Sequence, residues 1–219
     1  MKKSILILLL LMITTLSVRA DQFNLEPSLG LVAGDFEQQF TNMSGTRNGT
    51  TYSGNTLVLG DVTGIDFGLK GYLNELDIDY MKFVFIGFDF AVSSLSFVPL
   101  DFFGPSSEYD AGRASIGGLI GLDWGSKWIP RVWVVYIPMD SLVITDSGGN
   151  ENNYLGSGYK IGISFGSKLK VNFEYTSRSY SERDKSSLPK TYTTDGVTLT
   201  EEKLESSGLI LSLSYPLNI

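Results

Sequence analysis

The chain has no cysteine, no histidine and a shortage of basic charge, and past its first twenty positions no apolar run is long enough for a membrane helix. Each absence excludes something. Without cysteine there are no disulfides, no lipid anchor of the lipoprotein type and no thiolate metal site. A secreted chain of this kind must be stabilised by core burial or by insertion into a membrane. Without histidine, Ser–His or Asp–His activation of a nucleophile is unavailable. Without a second long apolar run, only a closed β-barrel could cross a bilayer. With 17 Lys and Arg against 24 Asp and Glu, the chain lacks the cations that phosphate neutralisation requires, so nucleic acid is not expected as a partner.

The first twenty residues read as a secretory leader. Lys2 and Lys3 form a basic start, Ile5 to Leu16 is apolar, and Val18-Arg19-Ala20 is a small-residue cleavage site. The apolar run falls short of the ~20 residues a spanning helix needs. The expected division is therefore a signal peptide over residues 1–20 and one mature domain over 21–219. Three of the 17 basic residues leave with the leader, so 14 face 24 acidic ones and the net charge is about −10.

The clearest pattern in the mature chain is a two-residue alternation. In Tyr159–Ser177, the residues Tyr159, Ile161, Ile163 and Phe165 alternate with Lys160, Gly162, Ser164 and Gly166. Leu169, Val171, Phe173 and Tyr175 then alternate with Lys170, Asn172, Glu174 and Thr176. A period of two means strand, with one apolar and one polar face. A three-residue turn, Gly166-Ser167-Lys168, keeps the apolar face unbroken by pairing Phe165 with Leu169 and Ile163 with Val171, and it sets Lys160 opposite Glu174.

The same alternation recurs along the chain. It runs over Leu25–Gly34, over Leu57–Leu73 (Ile65, Phe67 and Leu69 on one face) and over Val84–Val92. It returns in Arg113–Trp124, in Arg131–Tyr136 and in the last strand, Leu209 to Leu217. A four-residue turn at Glu75–Ile78 would set Phe85 opposite Gly68. A turn at Gly125–Trp128 pairs Leu122 with Val132, Gly121 with Trp133 and Asp123 with Arg131. Four long polar connections, Asp35–Thr56, Ser93–Asp110, Met139–Leu155 and Ser181–Lys203, read as loops. They alternate with short turns, so all four fall at one end.

Eight strands with this rhythm resemble the small eight-stranded outer-membrane barrels of the OmpA/OmpX type, a resemblance of architecture that covers the mature chain. It implies an all-β, antiparallel, up-and-down transmembrane barrel with short periplasmic turns and four long extracellular loops. It also implies a bacterial cell-surface location in the outer membrane, reached through the cleaved leader. The partners it implies are outer-membrane lipid and lipopolysaccharide, with periplasmic chaperones and the barrel-insertion machinery during biogenesis. Such barrels often end in an aromatic residue; here the end is Leu213-Ser-Tyr215-Pro-Leu-Asn-Ile219.

The candidate residues fall into groups. Inward charges are Asp66, Lys70, Asp89, Arg113, Asp123, Arg131, Lys160, Glu174 and Arg178, expected to pair and block a narrow lumen. Interface aromatics are Trp124, Trp128, Phe165 and Tyr215 toward the turns, and Phe90, Tyr136, Tyr159 and Tyr175 toward the loops. Glu108, Asp110, Asp146 and Glu151 are loop carboxylates that could act as a base or hold a divalent ion, and read more simply as solvated. Asn42 and Asn48 match a glycosylation acceptor that means nothing in a bacterial protein. Gly156, Gly158 and Gly162 approach a dinucleotide fingerprint, but a strand follows where that fingerprint needs a helix. No catalytic residue, cofactor or metal is expected, and the role would be structural or surface-interactive, through the loops. Two alternatives remain: a secreted lipocalin-like barrel with the apolar stripe lining a ligand cavity, and a narrow, porin-like pore.

Overall fold

A computed structural model of the chain describes residues 23–47, 49–73, 83–99, 109–124, 130–145, 149–194 and 196–218. The expected leader, Asn48, Glu108, Trp128, Asp146 and the C-terminal Ile219 lie outside them, as do the residues between Leu73 and Phe83.

Seven strands follow one another: β1 (Phe23–Arg47), β2 (Thr50–Leu73), β3 (Val84–Pro99), β4 (Tyr109–Leu122), β5 (Arg131–Thr145), β6 (Glu151–Phe165) and β7 (Lys170–Arg183). Two short strands, β8 (Ser186–Ser187) and β9 (Lys190–Thr194), precede β10 (Val197–Ser214) and β11 (Leu217–Asn218). Each of β1 to β7 pairs antiparallel with the next. β10 pairs with β7 on one side and β1 on the other, which closes an eight-stranded barrel. Closure satisfies the backbone of every stave without an open edge, the condition for placing strands in lipid. Both described ends of the chain meet at one rim, where Asn24 pairs with Tyr72 and with Asn218.

The alternation sorts the faces. Leu29, Leu31, Phe67, Ile161, Phe173, Leu209 and Leu211 point outward and are exposed, while Asp66, Lys70, Asp89, Lys160 and Glu174 point inward and are buried. A lipocalin-type barrel would have these faces exchanged; here the apolar stripe points outward and does not line a ligand cavity.

The register differs from the sequence expectation in two hairpins. Phe165 pairs with Val171, not Leu169, and Lys160 faces Thr176, not Glu174. The turn takes Gly166 through Leu169, with Gly166 at φ 112°, where a Cβ would lie 2.2 Å from the Leu169 carbonyl oxygen. The positive φ is placed first in the turn rather than last, so the three-residue form is not used. The error is two residues, which leaves every side chain on its predicted face. Phe85, expected opposite Gly68, instead lies on Gly121 of β4, while Gly68 faces Ala91. A Cβ on Gly121 would come within 2.3 Å of the Phe85 ring, so this glycine supplies the room assigned to Gly68. The β4–β5 register matches the expectation, with Leu122 on Val132 and Gly121 on Trp133.

The segments read as loops are largely strand. β1 and β2 run to within two residues of each other, and pairing continues from Asp35–Asp61 to Arg47–Thr50. β3, β5, β6 and β7 likewise extend beyond their apolar stripes. In Ser181–Lys203 a hairpin forms instead, pairing Thr191 with Thr200 and Thr193 with Thr198. In these extensions the outward side chains turn polar while inward ones such as Phe36, Phe40, Met43, Leu95, Phe97 and Leu142 are apolar, so the sense of the alternation reverses past the stripe even though the backbone ladder persists. Bulges also break the phase. One lies between Phe40 and Met43 of β1, where Asn42 has φ 53°, and one between Ile137 and Asp140 of β5, where Pro138 costs no ladder bond.

Candidate functional site

The interior is built in storeys. At the rim that holds the chain ends, Glu26 of β1 is fully buried. It accepts hydrogen bonds from Tyr72 (2.8 Å), Arg131 (2.7 Å), Lys170 (3.2 Å) and Ser214 (2.6 Å), which bring β1, β2, β5, β7 and β10 to one carboxylate. The Arg131 guanidinium also lies over the Tyr72, Phe85 and Trp133 rings, 4.7, 4.8 and 5.5 Å from their centroids. With Leu119, Val135 and Ile137 these rings form an apolar wall on one side of the lumen.

Above them two lysines and two acids form a square. Lys70 meets Glu174 at 2.6 Å and Asp89 at 3.8 Å; Lys160 meets Asp89 at 3.0 Å and Glu174 at 3.4 Å. Lys160 and Glu174 therefore touch although they are not directly opposite: they lie on a diagonal of β6 and β7. The next storey holds Arg113 with Asp66 (3.7 Å), joined through Ser93, and Arg178 with Asp140, to which Tyr180 also donates at 3.1 Å. Toward the loop end, Glu201 accepts from Arg183 (2.5 Å), Gln38 (2.6 Å) and Tyr154 (3.2 Å). Around and above these polar groups lies an apolar cluster that includes Phe36, Phe40, Met43, Leu95, Phe97, Leu142, Leu199 and Leu204.

Of the charges singled out in the sequence, Asp66, Lys70, Asp89, Arg113, Arg131, Lys160, Glu174 and Arg178 are all buried inside the barrel. Asp123 follows the last residue of β4 and is half-buried; the partner of Arg131 at 2.7 Å is Glu26. Glu26, Asp140 and Glu201 escaped the sequence reading. Glu26 precedes Pro27 at the weak start of β1, Asp140 follows the β5 bulge, and Glu201 sits in a stretch whose polarity predicts a loop. A period of two carried through Val197, Leu199 and Glu201 would have found the last.

The outward aromatics Phe90, Trp124, Tyr136, Tyr159, Phe165, Tyr175 and Tyr215 are exposed, with Tyr159 and Tyr175 packed as a pair at 6.3 Å. Of the loop carboxylates, Asp110 and Glu151 are exposed; Asp110 is the second residue of β4 and Glu151 the first of β6. Gly156, Gly158 and Gly162 lie within β6, and a Cβ on each would sit within 2.4 Å of Ser179, Ser177 or Trp133 atoms. They let Tyr180, Arg178 and Trp133 lie flat against the wall, as close-approach glycines do in curved strands.

This closed barrel, apolar outside and ion-paired inside, has the fold of the small eight-stranded outer-membrane proteins. Among solved structures, it is similar to the outer membrane protein AlkL, determined in DMPC lipid bilayers, at 15% identity over 93% of this chain and 94% of that one, with a TM-score of 0.50. Neisserial surface protein A and Ail of Yersinia pestis align at 10% identity each, over 88% and 90% of this chain and 96% and 99% of theirs, with TM-scores of 0.44. At such identities the likeness concerns the fold. No protein-family model and no curated protein matches the sequence.

Proposed function

We propose that the protein is a non-enzymatic surface protein of the bacterial outer membrane. In this reading the apolar stripe meets lipid, the lumen is closed, and the loop end carries the interaction. The observation that supports it most is the opposition of the two faces. An array of exposed Leu, Ile and Phe around a whole barrel is far larger than the apolar patches that water-soluble monomers tolerate. On β1 the stripe runs from Leu25 to Ala33 before Asp35 interrupts it, close to the roughly 9–11 residues a tilted spanning strand needs. Tyr136, Tyr159 and Tyr175 lie toward the loop rim, and Trp124, Phe165 and Tyr215 toward the other, as interface belts would.

The lumen is crossed by side chains from opposite walls: Lys70 of β2 reaches Glu174 of β7, and Arg131 of β5 reaches Glu26 of β1. That supports a structural plug over a conducting channel. At the loop end, β2, β1, β10 and β9 continue as a raised sheet. Its outward face carries threonines, among them the cross-strand pairs Thr46–Thr51, Thr191–Thr200 and Thr193–Thr198. A preformed polar sheet of this kind is where a surface contact would be made.

The chain has no cysteine, which makes the orientation testable. Ser53→Cys near the hairpin tip should be labelled by a membrane-impermeant maleimide on intact cells. Labelling only after the cells are opened would overturn the surface assignment.

A further inference from the structure

The outward wall has a dent that the ion-pair network and the raised sheet do not explain. On β6, β7 and β10 the outward side chains of the stripe are large: Tyr159 and Ile161, Tyr175 and Phe173, Leu209 and Leu211. One step nearer the loop rim they become Ser157, Ser177, Ser179 and Ser207, and the drop in size leaves a groove of about 550 Å³. That lies within the ~300–1,000 Å³ typical of small-molecule sites. The register gathers the hydroxyls: Ser157 faces Ser179, Ser177 faces Ser207, and Ser207 faces Asp35. Glu37 and Glu205 face each other across β1 and β10 on the same side, and Tyr136, Tyr159 and Tyr175 complete the walls.

We propose that this groove docks the saccharide head of an outer-leaflet glycolipid, whose acyl chains run down the apolar stripe beneath it. The inference rests on the membrane-barrel reading. Its chemistry follows from the lining. Serine hydroxyls both donate and accept, and carboxylates accept from sugar hydroxyls. The tyrosine rings offer flat apolar faces to the C–H side of a sugar ring. Charge discriminates among headgroups. Lys203 is already tied to Glu37 and Glu205 at 3.0 Å each, which leaves Asp35 and the second acid in excess. An anionic phosphate is therefore repelled, whereas a neutral sugar is not. Position selects a lipid-linked sugar over a free one. Leu209 and Ile161 both face Tyr175, which lines the groove, and continue the outward apolar surface below it that a soluble sugar would leave uncovered.

The test reconstitutes the full protein in nanodiscs of phosphatidylethanolamine and phosphatidylglycerol containing a minor fraction of glucosyl-diacylglycerol. Lipids retained on the protein are then counted by native mass spectrometry. The glycolipid should be enriched roughly tenfold over its share of the bilayer, about 1.4 kcal/mol of preference. The double substitution Ser177→Leu/Ser207→Leu, which fills the groove with side chains suited to lipid contact, should return retention to the bulk ratio, and Glu205→Gln should reduce it. A normally folded barrel that retains phosphatidylglycerol instead, or keeps its enrichment when the groove is filled, overturns the groove proposal alone. Loss of heat-modifiable gel mobility in the unsubstituted protein would remove the membrane reading, and the groove proposal with it.

Discussion

Lys70 of β2 and Glu174 of β7 meet across the barrel interior with 2.6 Å between Nζ and Oε1, and neither strand neighbours the other in the wall. Together with Lys160 and Asp89 they balance charge within one buried group, so removing one member leaves an imbalance. Glu174→Gln leaves two lysines to share Asp89 and should cost about 3–5 kcal/mol, the usual penalty for orphaning a buried charge. Lys70→Met combined with Glu174→Leu leaves Lys160 on Asp89 at 3.0 Å, again balanced. Urea unfolding of the barrel in lipid should therefore show a double mutant less destabilised than the sum of the singles.

On the proposed reading the same network plugs the lumen, so the unsubstituted protein should give no stepwise conductance in planar bilayers. Shortening both chains, Lys70→Ala with Glu174→Ala, should admit water and produce small, irregular openings. Steady channels from the unsubstituted protein would favour the pore alternative.

Charge placed on the outward stripe should be expensive in a way that depends on depth. Ile161→Arg, near the middle of the β6 stripe, should cost about 2–4 kcal/mol, falling toward zero for an arginine near either interface. Tyr136→Arg, toward the loop rim, is the matched control. Equal and small effects at both positions would mean that the stripe does not face lipid.

Gly162 packs under the Trp133 indole, and a Cβ there would stand 2.4 Å from ring atoms. Gly162→Val forces the ring from its place and should destabilise by about 1–3 kcal/mol, the range for overpacked cores. Gly112, whose Cβ would meet nothing within 4 Å, should accept alanine at little cost. Chemical denaturation of both variants makes the comparison.

At the loop end, Asp184 follows β7 and accepts from the Asn153 amide at 3.0 Å and from Lys190 at 3.2 Å. Slight burial works against its charge, but the amide and the lysine prevail and hold its carboxyl below the ordinary value. Its clamp on this turn is therefore full above the usual carboxylate pKa of about 3.9 and is lost as pH falls through the lower folded value. The protection factor of the Asn153 amide, its exchange rate divided into the intrinsic rate at the same pH, should fall only below that pH, and in Asp184→Asn it should no longer show that step.

The sequence showed the barrel wherever one face had to be apolar. Ile161–Phe165 and Phe67–Leu69 alternate because lipid lies on one side and charge on the other. Alternation cannot fix register beyond an even shift, and so it predicts Phe165 on Leu169 where the structure has Val171. It also fails beyond the stripe. Asp35–Thr56 is polar on the outward face of a hairpin, and its sparse inward apolar members, Phe36, Phe40 and Met43, betray the strand. Asp140 was missed because the Pro138 bulge reverses the phase between Ile137 and Asp140. The acids that complete the interior network are thus the ones that bulges, a proline and a polar hairpin conceal.

This chain is a closed barrel whose outer face is apolar and whose inner face is ion-paired. The most direct measurement is gel mobility in SDS, boiled against unboiled, of the protein taken from an outer-membrane fraction. A closed, ion-paired barrel resists SDS until heated, so the unboiled band should run faster than the boiled one. A single mobility from a soluble fraction would contradict the account.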